Sequence, residues 1–245
     1  MDSSISVVIN GYRRPSYLKE QYEAILNQST SCDEILFWKN QHSDNEYFDE
    51  EIIRNCRSSI SNHNFGVWSR FSYALNCKSK YICIFDDDTI PGENWFSSCL
   101  ETIKKNNGLI GERGLIFETD NYWVGNKGYS GREIKNKEAL RVDIVGHAWF
   151  FEREWLAAYW SELPPPNITL AGEDMHFSYM LQKRLGLNTY VAPHPDDDMS
   201  VWGSIKGGIG GDDKATSSLS ESQSQMSFYL KHIVSNGFKI INNNK

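Results

Sequence analysis

No apolar run in this 245-residue chain reaches the about 18 residues that a membrane span requires. The most apolar stretch, VGHAWFFEREWLAAYW, is interrupted by Glu152, Arg153 and Glu154, so no membrane span is expected. At the start, MDSSISVVINGYRR carries an acid ahead of a short apolar run and has no cleavage pattern, so no signal peptide is expected. Cysteine is scarce: five residues, an odd number, with no CxxC pair. That argues against a disulfide framework and for free thiols in a reducing compartment, and the expectation is a cytoplasmic protein. Positive charge is also short, with 25 Lys and Arg against 32 Asp and Glu and a net charge of −7. Nucleic-acid binding depends on neutralising phosphates, and no basic stripe exists to do it. Glycine-rich phosphate loops of the GxGxxG or GxxxxGK[ST] kind are missing as well. A phosphate-bearing ligand would therefore have to find its positive charge elsewhere.

Aromatic residues are plentiful, 13% of the chain with eight Trp, and 40% of residues are hydrophobic. That supply is ample for a core at this length. The first half alternates strand-like and helix-like segments. ISVVI (5–9) precedes RPSYLKEQYEAILNQS, in which Tyr17, Leu18, Tyr22, Ile25 and Leu26 form one helical face. EILFW (34–38) reads as a strand, DEEIIRNCRS as a short helix, SISNHNFGVW as holding a third strand, and SRFSYALNC as a helix. YICIF (81–85) is a buried strand by length and composition, and ENWFSSCLETIKK a helix. This repetition predicts a mainly parallel sheet flanked by helices. In the second half LIGERGLIFE (109–118) and VDIVGHAWFF each read as one strand, with a Gly-rich polar stretch between them. REWLAAYWSEL and GEDMHFSYMLQKRLG read as helices and NTYVA as a final strand. Residues 196–225, rich in Gly, Asp and Ser, predict a mobile loop, and 226–245 a closing helix and tail. One domain is expected, with residues 1–105 as a nucleotide-binding half and 106–195 as an acceptor half.

Three adjacent carboxylates, Asp86-Asp87-Asp88, follow the buried strand. Like charges so close repel and raise one another's pKa, so the cluster costs stability unless a cation offsets it. Ligand sites of open α/β sheets lie at such strand ends. Carboxylates there suit Mn²⁺ or Mg²⁺, which keeps waters and bridges to ligand phosphates. Metal with diphosphate suggests a nucleotide-activated donor. A second acidic pair, Glu173-Asp174, opens a helix, where carboxylates also complement the dipole.

In combination these segments resemble the nucleotide-sugar-dependent glycosyltransferases of the GT-A fold, of the family-2 type. The match runs from VVINGYRRPSYLKEQYEAILNQS through NFGVWSRFSYALNCKSKYICIFDDDTIPGENWF, VGHAWFFERE and AGEDMHFSYML to VAPHP. It covers about residues 4 to 200 in the expected order. The resemblance implies a Rossmann-like α/β domain that binds a nucleotide-diphosphate sugar, UDP-sugar favoured, and a glycan or glycoconjugate acceptor. It implies Asp88 as a metal ligand, Asp86 on the metal or the ribose, and His194 on the metal or the diphosphate. Asp87 belongs to the same donor-binding motif. Arg13 or Arg14 would lie near the nucleotide, and Gly146 would allow close approach of the donor. Where the family has an acid after the second strand, this chain reads WKNQHSDN, so Asn40 or Asp44 would serve. Asp174 would be the general base, with inversion, and Glu173 would orient it or grip the acceptor. Trp149, Trp123 and Trp202 are candidates for stacking on sugar faces, each also accountable as packing. The oligomeric state is left open.

Two other functions draw on the same features. A sugar-1-phosphate nucleotidyltransferase also pairs an α/β sheet with acidic metal ligands, but INGYRRPS supplies only one glycine of the loop it needs. A non-catalytic sugar- or Ca²⁺-binding module would use the second acidic run, Asp196-Asp197-Asp198.

Overall fold

A computed structural model describes residues 2–42, 47–129, 135–206 and 215–244. The strands are β1 (Ile5–Gly11), β2 (Glu34–Lys39), β3 (Arg57–Ile60), β4 (Tyr81–Phe85), β5 (Gly108–Gly111) and β6 (Arg113–Ile116). They continue as β7 (Lys127–Tyr129), β8 (Leu140–Val142), β9 (Ile144–Gly146), β10 (Trp149–Glu152) and β11 (Asn188–Val191). The helices are α1 (Pro15–Leu26), α2 (Glu50–Asn55), α3 (Ser69–Tyr73), α4 (Trp95–Lys105), α5 (Leu156–Tyr159), α6 (Glu173–Leu185) and α7 (Ser220–Ser235).

Eight strands form one sheet in the order β3-β2-β1-β4-β10-β5-β11-β8. The β3-β2-β1-β4 half is parallel throughout, as the strand-helix repeat requires. β10 then enters antiparallel between β4 and β5, while β11 lies parallel to β5. β1 and β4 are buried on both faces, which is why β4 is apolar throughout rather than alternating. A smaller sheet, β7-β6-β9, stands beside the large one. The mixed α/β layers match the expected fold class, and one apolar cluster runs through them from Ile5 to Ile240.

Two apparently continuous strands are each broken. LIGERGLIFE divides at Glu112 into β5 of the large sheet and β6 of the small one. VDIVGHAWFF holds the last residue of β8, then β9 and β10, which part at His147 and Ala148, whose φ angles are 58° and 45°. Left-handed backbone is costly for residues with a Cβ, so surrounding structure must hold it there. Part of that hold is the Glu112 amide, which donates to the His147 carbonyl at 3.1 Å. The two breaks face each other and let the chain change sheets twice.

The tail segment departs from the mobile loop expected over 196–225. Its first part packs onto the turn before α4. Gly92 N donates to Trp202 O (2.9 Å), Asn94 N to Ser200 O (2.8 Å) and Ile205 N to Ile90 O (2.8 Å). Trp202 is buried and its indole donates to Pro195 O, so a segment polar in composition is fastened by backbone pairing and one large ring. Helix α7 starts at Ser220, inside the stretch expected to be loop. Residues 207–214, which hold most of the glycines of that expected loop, lie outside the described residues.

Candidate active site

The carboxyl ends of β1 and β4 open into a cleft of about 600 Å³. Asp86, Asp87 and Asp88 line it, in the turn after β4. Helix α1 clamps that turn: Gln21 donates its side-chain amide to the carbonyls of Asp86 and Thr89, both at 2.6 Å. Backbone groups that a tight acidic turn would leave unpaired are thereby satisfied.

Each acid has its own surroundings. Asp87 accepts from the Arg13 amide and from the Arg14 guanidinium, both at 2.8 Å. Its carboxylate therefore holds the arginine turn after β1, a structural task, although it was expected to bind the nucleotide. Asp88 is buried 3.6 Å from Arg14. Burial pushes its carboxyl up to about 6, and neighbouring Asp86 and Asp87 add to that. Asp86 is the more exposed acid, 3.4 Å from the buried Arg70 guanidinium and 3.5 Å from His147 Nδ1.

Arg70 and His147 were not anticipated from sequence. Arg70 sits on α3 and pairs with Glu173 at 2.7 Å as well as with Asp86, with its guanidinium over the Trp149 ring at 4.8 Å. One cation thus links the acidic turn of β4 to the acidic start of α6. His147 lines the cleft because its left-handed backbone turns it there, and its Nδ1 also lies 4.0 Å from Asp88. No sequence pattern announces either feature. The arginine reads as an ordinary helix residue, and no glycine marks the left-handed pair.

Glu173 and Asp174 open α6 after Gly172, whose φ is 92°. A Cβ on Gly172 would lie 2.9 Å from Tyr229 Cδ1. Gly172→Ala is therefore expected to cost about 1–3 kcal/mol, from strained backbone and overpacking, as measured by urea denaturation. An unchanged midpoint would mean that the α6 entry relaxes freely. Asp174 accepts from the Met175 amide at 2.6 Å, yet burial raises its carboxyl to about 6. Across the cleft, the position of a Cβ on Gly146 would have Asp174 Oδ2 as its nearest neighbour, 4.0 Å away. A bulkier residue at 146 would project toward the carboxylate. Burial raises Glu173 too, but the Arg70 pair opposes it.

The other expected site residues divide. Arg13, Arg14, Asn40 and Trp149 line the cleft. Asn40 spends its amide on the loop before α3, donating to Asn64 Oδ1 (2.8 Å) and accepting from Phe65 N (3.0 Å). Trp149 is buried under Arg70 with its indole bonded to Val145 O, so it supports the site rather than offering a face to a sugar. Asp44 lies outside the described residues.

His194 is not brought to the acidic turn. It is fully buried, with Nδ1 bonded to Ala192 O (2.7 Å), Nε2 3.8 Å from Glu112, and rings of Trp95 and Trp202 around it. Trp202 is likewise absent from the cleft wall. Strand β11 delivers both to the side of α4 rather than to the cleft. In the second acidic run Asp198 caps the turn at Ser200 and Asp196 lies 3.5 Å from Lys135, so two of its three acids have protein partners. Among the described residues no three His, Cys, Asp or Glu side chains make a ready metal cage, and none of the helices is long and apolar enough to cross a membrane.

The sequence model of glycosyl transferase family 2 matches residues 6–160, a span that includes β1, the acidic turn and His147. Among solved structures, S. aureus TarS superposes with a TM-score of 0.56 at 14% identity, over 78% of this chain and 35% of TarS. The TarS 1-349 structure in complex with UDP gives 0.54 at 14% identity, over 78% of this chain and 58% of that one. Likeness at that identity is one of fold, and the chain spans only about a third to three-fifths of these neighbours' length. No curated protein matches the chain in sequence.

Proposed function

This chain belongs to glycosyl transferase family 2, and from that premise we propose that it moves a sugar from a nucleotide-diphosphate sugar to a hydroxyl of a glycan or glycoconjugate, inverting the anomeric centre. The observation that carries this reading is that Asp174 and the acidic turn line one cleft, with Arg70 bridging that turn at Asp86 to Glu173, the neighbour of Asp174. In the transfer the acceptor oxygen bonds to the anomeric carbon as the bond from that carbon to the diphosphate breaks. Asp174 takes the acceptor's proton, for which a carboxyl near neutrality is suited. Arg13 and Arg14 line the cleft beside the acidic turn, where the donor's phosphates would lie. UDP is the favoured nucleotide, in keeping with the UDP bound by TarS 1-349.

A divalent cation, Mn²⁺ or Mg²⁺, fits the residues present. Asp86 and Asp88 both approach His147 Nδ1, within 3.5 and 4.0 Å, so their carboxylates converge on one region. Two oxygen ligands suffice for an ion that keeps waters and phosphate oxygens. Bound there, the ion would supply positive charge for the leaving diphosphate. Removing it with a chelator should abolish nucleotide release, and Asp88→Asn should do the same; full activity in excess chelator would end the metal proposal. The overall reading is tested by incubating the protein with a panel of nucleotide sugars and measuring release of nucleotide diphosphate. Release with no member of the panel, under conditions where the protein is folded, would overturn it.

A further inference from the structure

The far half of the cleft is unlike the charged end just described. Its wall is the β7-β6-β9 sheet, and Arg113 of β6 pairs in register with Gly146, at the charged end. From there β6 runs outward to a connection, residues 117–126, that returns into β7. In this connection Tyr122 is buried, its ring 5.4 Å from Phe117 and edge-on to Trp123 at 4.8 Å. Trp123 lines the cleft and is nevertheless 51% exposed.

The turn presenting that indole is braced. Trp123 N donates to Asn121 Oδ1 (3.2 Å), Val124 N to Asn121 O (3.2 Å), and the Asn126 side chain to Tyr122 O. Gly125, at φ 70°, closes it. Across the cleft Leu219, Gln223 and Met226, at the start of α7, line the same space. A large aromatic ring held in order, half in solvent, on the wall of a cleft is a surface built to be covered. Tyr122, Trp123 and Asp174 all line this one cleft, so the platform and the proposed base share it.

We propose that Trp123 is the platform on which a neutral pyranose acceptor stacks, presenting its reacting hydroxyl to Asp174. The inference rests on the glycosyl-transfer reading and deepens it by naming the acceptor class and the residue that selects it. A pyranose has a face of C–H groups and a rim of hydroxyls. Indole, leucine and methionine suit the face, and the carboxamides of Asn126 and Gln223 suit the rim. Trp149 and Trp202, the other tryptophans considered for this role, are buried, the first in the core and the second beside His194.

The test uses saturation-transfer NMR on the whole protein with UDP and Mn²⁺ present. Its probes are the methyl glycosides of glucose, galactose, mannose and N-acetylglucosamine, with sn-glycerol 3-phosphate as an anionic comparison. At least one glycoside should be saturated, most strongly on the protons of one ring face. Its affinity should fall about tenfold, the equivalent of one good stacking contact, in Trp123→Ala. Trp123→Phe should recover part of it, and Val124→Ser, at the exposed neighbour outside the cleft wall, should lose none. No saturated glycoside, equal signals in wild type and Trp123→Ala, or preference for glycerol phosphate would overturn the inference. UDP binding, measured by calorimetry on the same wild-type sample, separates the two levels. UDP binding without Trp123-dependent glycoside contact defeats the platform alone, whereas failure to bind UDP or any other nucleotide diphosphate defeats the transfer reading beneath it.

Discussion

Asp174→Asn is expected to slow sugar transfer by about 10²–10⁴-fold while nucleotide affinity stays near that of the wild type. The carboxylate faces Gly146 across the cleft, and in the proposed mechanism it takes the acceptor's proton rather than holding the nucleotide. Asparagine keeps the shape and can still accept from the Met175 amide, but it cannot take a proton. With the carboxyl raised to about 6 by burial, the wild-type rate should fall as pH drops below about 6. Asp88 titrates in the same range, so the assignment rests on the variant, whose residual rate should lose Asp174's contribution to that acid limb.

Stability runs the opposite way with pH for this group. Its folded pKa lies above the unfolded value, so the fold gains from protonation. The contribution is full below about pH 4 and is lost as pH rises through about 6. Asp174→Asn should therefore be at least as stable as the wild type at pH 7. Loss of transfer together with lost nucleotide binding and a lower unfolding midpoint would make Asp174 a structural residue of α6 instead.

Arg70→Met is expected to cost about 3–5 kcal/mol of unfolding free energy, the usual penalty for removing one partner of a buried ion pair. Arg70 is buried, and its charge answers both Asp86 and Glu173. Without it the buried Glu173 carboxylate loses its paired cation, while Asp86, more exposed, is left beside the His147 imidazole. Adding Glu173→Gln to Arg70→Met should restore part of the loss, giving a coupling energy that a double-mutant cycle reads directly. Arg70→Lys should rescue poorly. The ammonium lacks the planar fork that reaches both acids and the flat surface that lies over Trp149. A loss below about 1 kcal/mol, as for an exposed pair, would mean that water or a shift of α3 replaces the arginine.

The two acidic motifs were legible because charge is rarely placed at the end of a buried strand or beside a glycine at a helix start without a use. Asp86, Asp88, Glu173 and Asp174 all reach the region that their strand-end and helix-start positions imply. His194 was misplaced because its role came from motif order alone. Order along the chain does not say on which side of the sheet a segment emerges after β11. The tail was misjudged because composition counts side chains, whereas residues 198–206 are held by backbone hydrogen bonds, which any sequence can make.

By itself the amino-acid sequence determined the local elements: β1 as a strand and β4 as a buried one, α1, α4 and α6 by their periodicity and end signals, and the acids that follow β4 and open α6. Local propensity and burial pattern act within a few residues, so they can be read one segment at a time. Tertiary structure alone decided the breaks at Glu112 and at His147-Ala148, the transfer of β6 and β9 into a second sheet, and the reach of Arg70 from α3 to carboxylates 16 and 103 positions away in the chain. Each of these depends on a partner distant in sequence. A left-handed alanine or a doubly paired arginine is stable only once the opposing strand or acid has arrived, and no nearest-neighbour pattern carries that information.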